Sequence, residues 1–141
     1  MTDLKTAKRC ARAMWSGDNA SKALGMKVEI RKVGSATARM TVREDMVNGF
    51  DVCHGGLLFA LADTAFAFAC NAYDRKTVAA SGNIEFLRPA RLGDQLRARA
   101  DEEHRGRRTA YYNVRIDNQD GELIALFRGR SVSGKERLLD D

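Results

Sequence analysis

Between Met26 and Arg31 the chain alternates, with Met26, Val28 and Ile30 apolar and Lys27, Glu29 and Arg31 polar. A period of two belongs to a half-buried strand. Gly34 and Ser35 interrupt the run, then Ala36, Ala38, Met40 and Val42 resume it, so the two runs are expected to form a hairpin. Upstream, Leu4, Ala7, Ala11 and Met14 recur at helical spacing among Lys and Arg residues, which predicts an amphipathic helix over about 3–15. A second short helix is expected from an Asp18 cap to Gly25.

The pattern changes again at Gly55. The run to Ala69 is rich in Ala, Leu and Phe and apolar on nearly every side, as expected of a helix enclosed by other structure. Four strand-like segments follow, over 77–87, 94–104, 109–117 and 122–132, with Pro89 closing the first and Asp120-Gly121 turning between the last two. One buried helix and an antiparallel meander predict an α+β domain in which a curved sheet wraps the helix. We expect a single domain over 1–141, with a helical segment at 1–24, a core at 26–132 and a polar tail at 133–141.

Composition narrows the function classes. Hydrophobic residues make up 44% and charged residues 30%, ordinary globular usage. Asp63 and Asn71 interrupt the longest apolar stretch, and a spanning helix needs roughly 20 mostly apolar residues, so no membrane segment is expected. Residues 1–15 lack the apolar core of a secretory signal, and a cytoplasmic location is the expectation. Cys10, Cys53 and Cys70 show no paired spacing, which predicts reduced thiols. Only two histidines, His54 and His104, are present, so no metal site and no cofactor are expected. The net charge of +5 favours an anionic partner without naming it.

Two features carry candidate chemistry. Asp63 is the one charge within the apolar helix, where an ionised carboxylate is costly unless it is paired, hydrogen-bonded or wetted; a solvent-facing, purely structural Asp63 is the alternative. His54-Gly55-Gly56 lies where the helix begins, and backbone N–H groups of a first turn are unpaired and carry the positive end of the dipole. Glycine there lets a carbonyl approach the backbone, the outline of an oxyanion hole; a plain glycine turn is the alternative. Gly55 and Asp63 are eight residues apart, about 12 Å along a helix axis, so they cannot grip one carbonyl within one chain. Cooperation requires Asp63 of one subunit to face Gly55 of a two-fold partner.

The run Asn48-Gly49-Phe50-Asp51-Val52-Cys53-His54-Gly55-Gly56, with Leu61-Ala62-Asp63-Thr64-Ala65, Phe86-Leu87-Arg88-Pro89 and Ala125-Leu126-Phe127-Arg128-Gly129, resembles the PaaI-type hotdog thioesterases of phenylacetate degradation. The resemblance covers about 26–132. It implies the hotdog fold, a dimer that commonly pairs into a tetramer, and hydrolysis of aromatic acyl-CoA esters such as phenylacetyl- or hydroxyphenylacetyl-CoA. It assigns Asp63 as catalytic carboxylate, Gly55 as oxyanion-hole amide, Asn48 as a second holder of the thioester carbonyl and His54 as the residue orienting the glycine turn. Gly56, Thr64, Ser81 and Arg88 are the substrate-contact candidates, with Ser81 the candidate for positioning water. Phe50-Asp51-Val52 and Gly82-Asn83 depart from the family's pattern. Asp63 acts either as general base or as nucleophile, and both remain open.

Other classes fit less well. No G-x-S-x-G elbow occurs, and Cys53 and His54 are sequence neighbours without an orienting third group. Arg105, Arg107, Arg108, Arg128 and Arg130 read as a solvated face, so no nucleic acid partner is expected. A hotdog domain that binds acyl-CoA without hydrolysing it is the non-enzymatic alternative; a hotdog hydratase lacks its adjacent Asp and His here.

Overall fold

The computed structural model describes residues 3–140. Met1, Thr2 and Asp141, included in the expected domain, lie outside the described residues. Helix α1 (Leu4–Gly17) opens where Asp3 Oδ1 accepts the Thr6 N–H at 2.9 Å, and buries Ala7 and Cys10. Helix α2 (Asn19–Ala23) is capped by Asp18, whose Oδ1 accepts from Ser21 N–H at 3.0 Å. Both caps satisfy donors that a helix start otherwise leaves unpaired. The hairpin follows as β1 (Lys27–Glu29) and β2 (Ser35–Thr41), with Val28 opposite Ala38.

Helix α3 (Gly55–Cys70) runs along the inner face of one sheet built from β1, β2, β3 (Thr77–Phe86), β4 (Gln95–Arg105), β5 (Thr109–Asp117) and β6 (Leu123–Ser133). Leu58, Leu61, Ala62, Ala65, Phe66 and Ala69 of α3 are buried against Ala36, Ala38, Met40, Leu96, Ala98, Val114, Ile116 and Phe127 of the strands. This is the expected α+β hotdog arrangement of a helix wrapped by a curved antiparallel sheet. Among the described residues no helix is long and apolar enough to cross a membrane.

The strand order corrects the expected meander. It is β1-β2-β4-β5-β6-β3, so of the last four strands only β4, β5 and β6 are laid down in sequence, and β3 pairs with β6 at the far edge. The chain crosses from β2 through α3 to that edge and returns to lay β4 beside β2. Consequently almost every residue of β3 is exposed in the protomer, including Val78 and Phe86, while Leu87 just beyond the strand is exposed too. The turn between β5 and β6 also sits one residue earlier than expected: Gly121 N–H donates to Asn118 O at 3.1 Å, which puts Gln119 and Asp120 at its centre. Gly121 takes φ +76°, the left-handed conformation that closes such a turn with a bulge.

The tail after β6 is polar but anchored. Asp74 Oδ1 accepts from the N–H groups of Leu138 at 3.2 Å and Leu139 at 2.8 Å, and Asp74 Oδ2 accepts from Arg137 Nε at 2.8 Å. These bonds hold the Asp74 carboxyl below the usual range, the Leu139 bond most of all.

Candidate active site

The segment leading into α3 is braced before the helix starts. Asn48 Oδ1 accepts from Phe50 N–H at 2.9 Å and Val52 N–H at 3.4 Å, and Asn48 N–H donates to Val52 O at 2.8 Å. Such side-chain acceptance is why Asn suits tight loops. Cys53 N–H then donates to Ala90 O at 2.7 Å, and His54 N–H to Met46 O at 2.8 Å. The start of α3 is thereby fixed from two sides. Asn48 Nδ2 has no acceptor among the described residues, so a carbonyl can take it.

His54 caps the helix by accepting the Gly56 N–H on Nδ1 at 2.9 Å, while its carbonyl accepts from Leu57 at 2.9 Å and Leu58 at 3.3 Å. Nδ1 as acceptor leaves the neutral ring's proton on Nε2. Those bonds consume every early amide of the helix except that of Gly55, which donates to nothing among the described residues. A Cβ on Gly55 would stand 3.1 Å from Cζ of Phe86, so the exposed Phe86 ring lies directly beside this free amide. A Cβ on Gly56 would press on His54 Nδ1, also at 3.1 Å. A side chain at either glycine would thus crowd a neighbour, the Phe86 wall at Gly55 and the cap at Gly56.

Asp63 lies two turns further along α3. Its carboxylate is partly buried and makes no hydrogen bond or ion pair among the described residues. Burial raises its pKa above the ordinary carboxylate range. Phe59, one turn earlier on the same face, packs edge-on to Phe127 with ring centroids 5.2 Å apart. An unspent carboxylate and an unspent amide thus occupy one helix, separated by two turns, and neither has a partner among the described residues.

The cysteines do not rival Asp63. Burial pushes the Cys53 thiol up to about 11, and Cys53 Sγ donates to the His54 carbonyl at 3.7 Å while His54 Nδ1 is already committed to Gly56. Burial, with a smaller contribution from the Asp63 charge, pushes Cys70 up to about 12. A nucleophilic cysteine needs a thiolate near neutral pH.

The remaining sequence candidates fall in different places. Thr64 gives its hydroxyl proton to Ala60 O at 2.8 Å and meets Ser21 Oγ at 3.3 Å, so it ties α3 to α2. Arg88 sits on the loop after β3, 3.5 Å from Glu122. Ser81 pairs with Arg130 on the outer face, beyond the bulge between Ala79 and Ser81, while Gly82 is the residue that faces α3. Sequence reasoning missed Phe86 and Phe59 as walls; the signals were Phe86 at the end of an apolar alternation with Ile84, and Phe59 at i−4 from Asp63. The larger surface grooves give no better candidate. One of about 500 Å³ lies on the outer sheet face among Asn83, Arg99, Asn113, Arg115 and Arg128, remote from the helix.

Residues 50–125 match the thioesterase superfamily. The chain is 47% identical over 121 residues to the acyl-coenzyme A thioesterase PaaI of Escherichia coli strain K12, covering 86% of each chain. The solved E. coli PaaI protein from the phenylacetic acid degradation operon superimposes with a TM-score of 0.93 at 43% identity, covering 95% of this chain and 97% of that one. A mutant of the phenylacetic acid degradation protein PaaI from Thermus thermophilus gives 0.76 at 40% identity, over 79% and 96% of the two chains. At 24% identity, a hypothetical thioesterase protein with coenzyme A from Streptococcus pneumoniae TIGR4 shares the fold, with a TM-score of 0.75 over 79% and 90%.

Proposed function

The chain belongs to the PaaI-type acyl-CoA thioesterases of the thioesterase superfamily, and from that premise we propose that it hydrolyses aromatic acyl-CoA esters in a site shared by two protomers. In that site Asp63 of one copy faces Gly55 and Asn48 of the other. The observation that carries the reading is the pair of unspent groups on α3: a partly buried, partnerless Asp63 and a free Gly55 amide, each lacking what the other supplies. About 12 Å of helix separates them, so only a two-fold partner brings them together.

The unpaired edge of β3 supports the same partner. A ten-residue edge strand without proline, carrying exposed Val78 and Phe86, is a template for another strand. A second β3 is the self-complementary choice in a two-fold dimer.

The chemistry follows from the groups. The Gly55 N–H and Asn48 Nδ2 polarise the thioester carbonyl and hold the oxyanion as the carbon becomes tetrahedral; one such donor typically contributes about 3 kcal/mol. Asp63 takes a proton from water as that water's oxygen attacks the carbon, or its own oxygen attacks to give a mixed anhydride that water then opens. In both routes the C–S bond breaks as the oxyanion collapses, and coenzyme A leaves as thiolate, a leaving group that demands no strong acid. His54 holds the glycine turn. Phe86 and Phe59 are apolar walls suited to an aryl acyl group.

The test is thiol release from a panel of acyl-CoAs, phenylacetyl- and hydroxyphenylacetyl-CoA included, by the natural protein and Asp63→Asn. The variant is expected to fold, to bind the substrate and to lose at least ~100-fold in kcat, the scale of removing an essential acid or base. Retained turnover rejects the role of Asp63, and a preference for short aliphatic chains rejects the aromatic substrate.

A further inference from the structure

The seam between α1 and β1 holds a groove of about 390 Å³ that the reaction does not use. Its floor is apolar. Trp15 and Val28 are partly buried there, and Phe68, from the outer side of α3, packs beneath the indole with ring centroids 6.3 Å apart. Its rim is cationic. Arg12 and Lys27 line it, and Lys8 lines an adjoining stretch of about 460 Å³ that shares Ala11, Arg12 and Val28.

What sets this seam apart is the meeting of cations with an aromatic floor. Some arginines elsewhere sit against acids, as Arg128 does on Glu103 at 2.7 Å and Arg43 on Asp45 at 3.0 Å. Along the seam the one acid, Glu29, is already bonded to Arg31 at 2.9 Å. Lys8, Arg12 and Lys27 have no acid partner among the described residues. Exposed cations beside an apolar floor attract an anion, and one with an apolar body can use both.

We propose that this groove binds a small monocarboxylate with a flat apolar body, the carboxylate on Arg12 and Lys27 and the body against Trp15, Val28 and Phe68. The guanidinium fork matches a carboxylate in two parallel hydrogen bonds, and the volume suits a one-ring acid rather than a polymer. The acid released by the reaction proposed above belongs to this class, so an occupied groove would report product. That link rests on the proposed reaction; the binding does not.

Trp15 is the only tryptophan of the chain, so its fluorescence reads this groove alone. Phenylacetate and, separately, coenzyme A are titrated into the natural protein, Arg12→Leu, Arg12→Lys and Asp63→Asn, with calorimetry on the same samples. Phenylacetate is expected to change the Trp15 emission saturably, with equal affinity in Asp63→Asn. Arg12→Leu, checked for an unchanged melting temperature, is expected to raise Kd about tenfold or more, and Arg12→Lys to recover part of the loss. Absence of a saturable change, an undiminished response in Arg12→Leu, or a response to coenzyme A that phenylacetate does not displace overturns the proposal. Failure of Asp63→Asn to lose turnover would instead count against the active site and leave this result standing.

Discussion

Gly82 and Gly129 stand opposite each other across β3 and β6, and an aromatic ring occupies the place where each would carry a Cβ. A Cβ on Gly82 would lie 2.9 Å from Cζ of Phe127, and one on Gly129 would lie 2.8 Å from two ring atoms of Phe66. The rings of Phe59, Phe127, Phe66 and Tyr112 form a continuous row of tilted and edge-on contacts between helix and sheet. The glycine pair is what admits that row.

Gly129→Ala is therefore an overpacking substitution at a buried strand position, expected to cost about 1–3 kcal/mol. Phe66 is fully enclosed and cannot swing aside. Denaturant unfolding of the variant should show the loss, and adding Phe66→Leu, which vacates the ring atoms concerned, should make the double variant less unstable than the sum of the singles. Additive costs would mean that the two residues do not compete for space.

The amide of Gly55 can be tested apart from its side-chain space. Proline is tolerated at the first position of a helix, where its missing N–H removes no helical bond. His54, with φ −57° and ψ 132°, already has the extended backbone that a residue before proline prefers. Gly55→Pro should then fold and lose ~100-fold or more in kcat through the absent oxyanion donor. Gly55→Ala keeps the amide and only crowds Phe86, so its loss should be smaller and partly relieved by Phe86→Leu. Equal kcat values for Gly55→Pro and Gly55→Ala would remove the amide from the mechanism.

Much of this was legible in the chain because strong periodicity and burial agree. The helix starting at Gly55, the Asp18 cap and the strand over 109–117 emerged where expected. The strand over 95–105 gave a faint alternation because its inward residues past Leu96 are Ala98 and Ala100, which are buried without being strongly apolar. Strand order was not legible, since β3 carries ordinary strand chemistry and nothing local says which edge it joins. The side that Ser81 takes was not legible for a related reason: a bulge at Ala79/Ser81 shifts the inside-outside alternation by one residue, and a bulge leaves no mark in the pattern of residue types. Asp63 and Gly55 stand out as candidates because each violates its surroundings, a charge among apolar residues and a bare backbone at a helix start.

A shared site makes a prediction that no single-chain site makes. Asp63→Asn and Gly55→Pro each disable both sites of their own homodimer. In a hybrid of the two, one site carries both lesions and the other carries neither. Unfolding and refolding the two inactive proteins together at equal amounts should make half the dimers hybrid, each with one intact site, and recover about a quarter of the natural activity. Mixtures that stay inactive, although mass spectrometry shows hybrids, would place both groups in one protomer's site and refute the composite arrangement.

The burial of Asp63 sets a pH dependence whose sign is determined. Its carboxyl pKa is raised in the folded protein, so the native state holds the proton to higher pH than the unfolded chain does. Below the unfolded value of about 3.9 both states are protonated and the group contributes nothing. As pH rises from there through the folded pKa, ionisation costs the native state stability, and above that pKa the cost is fully present. Asp63→Asn removes the charge without changing the shape, so it should melt higher than the natural protein at neutral pH and lose that advantage toward pH 4. Activity should run the other way: a carboxylate that must be ionised to act as base or nucleophile gives kcat/KM, which reports the free enzyme, an acid limb above the ordinary carboxylate range. Melting curves and kcat/KM measured across the same buffers test both halves, and an Asp63→Asn variant that melts lower at neutral pH would mean that the carboxylate is stabilised by a partner in the assembled protein.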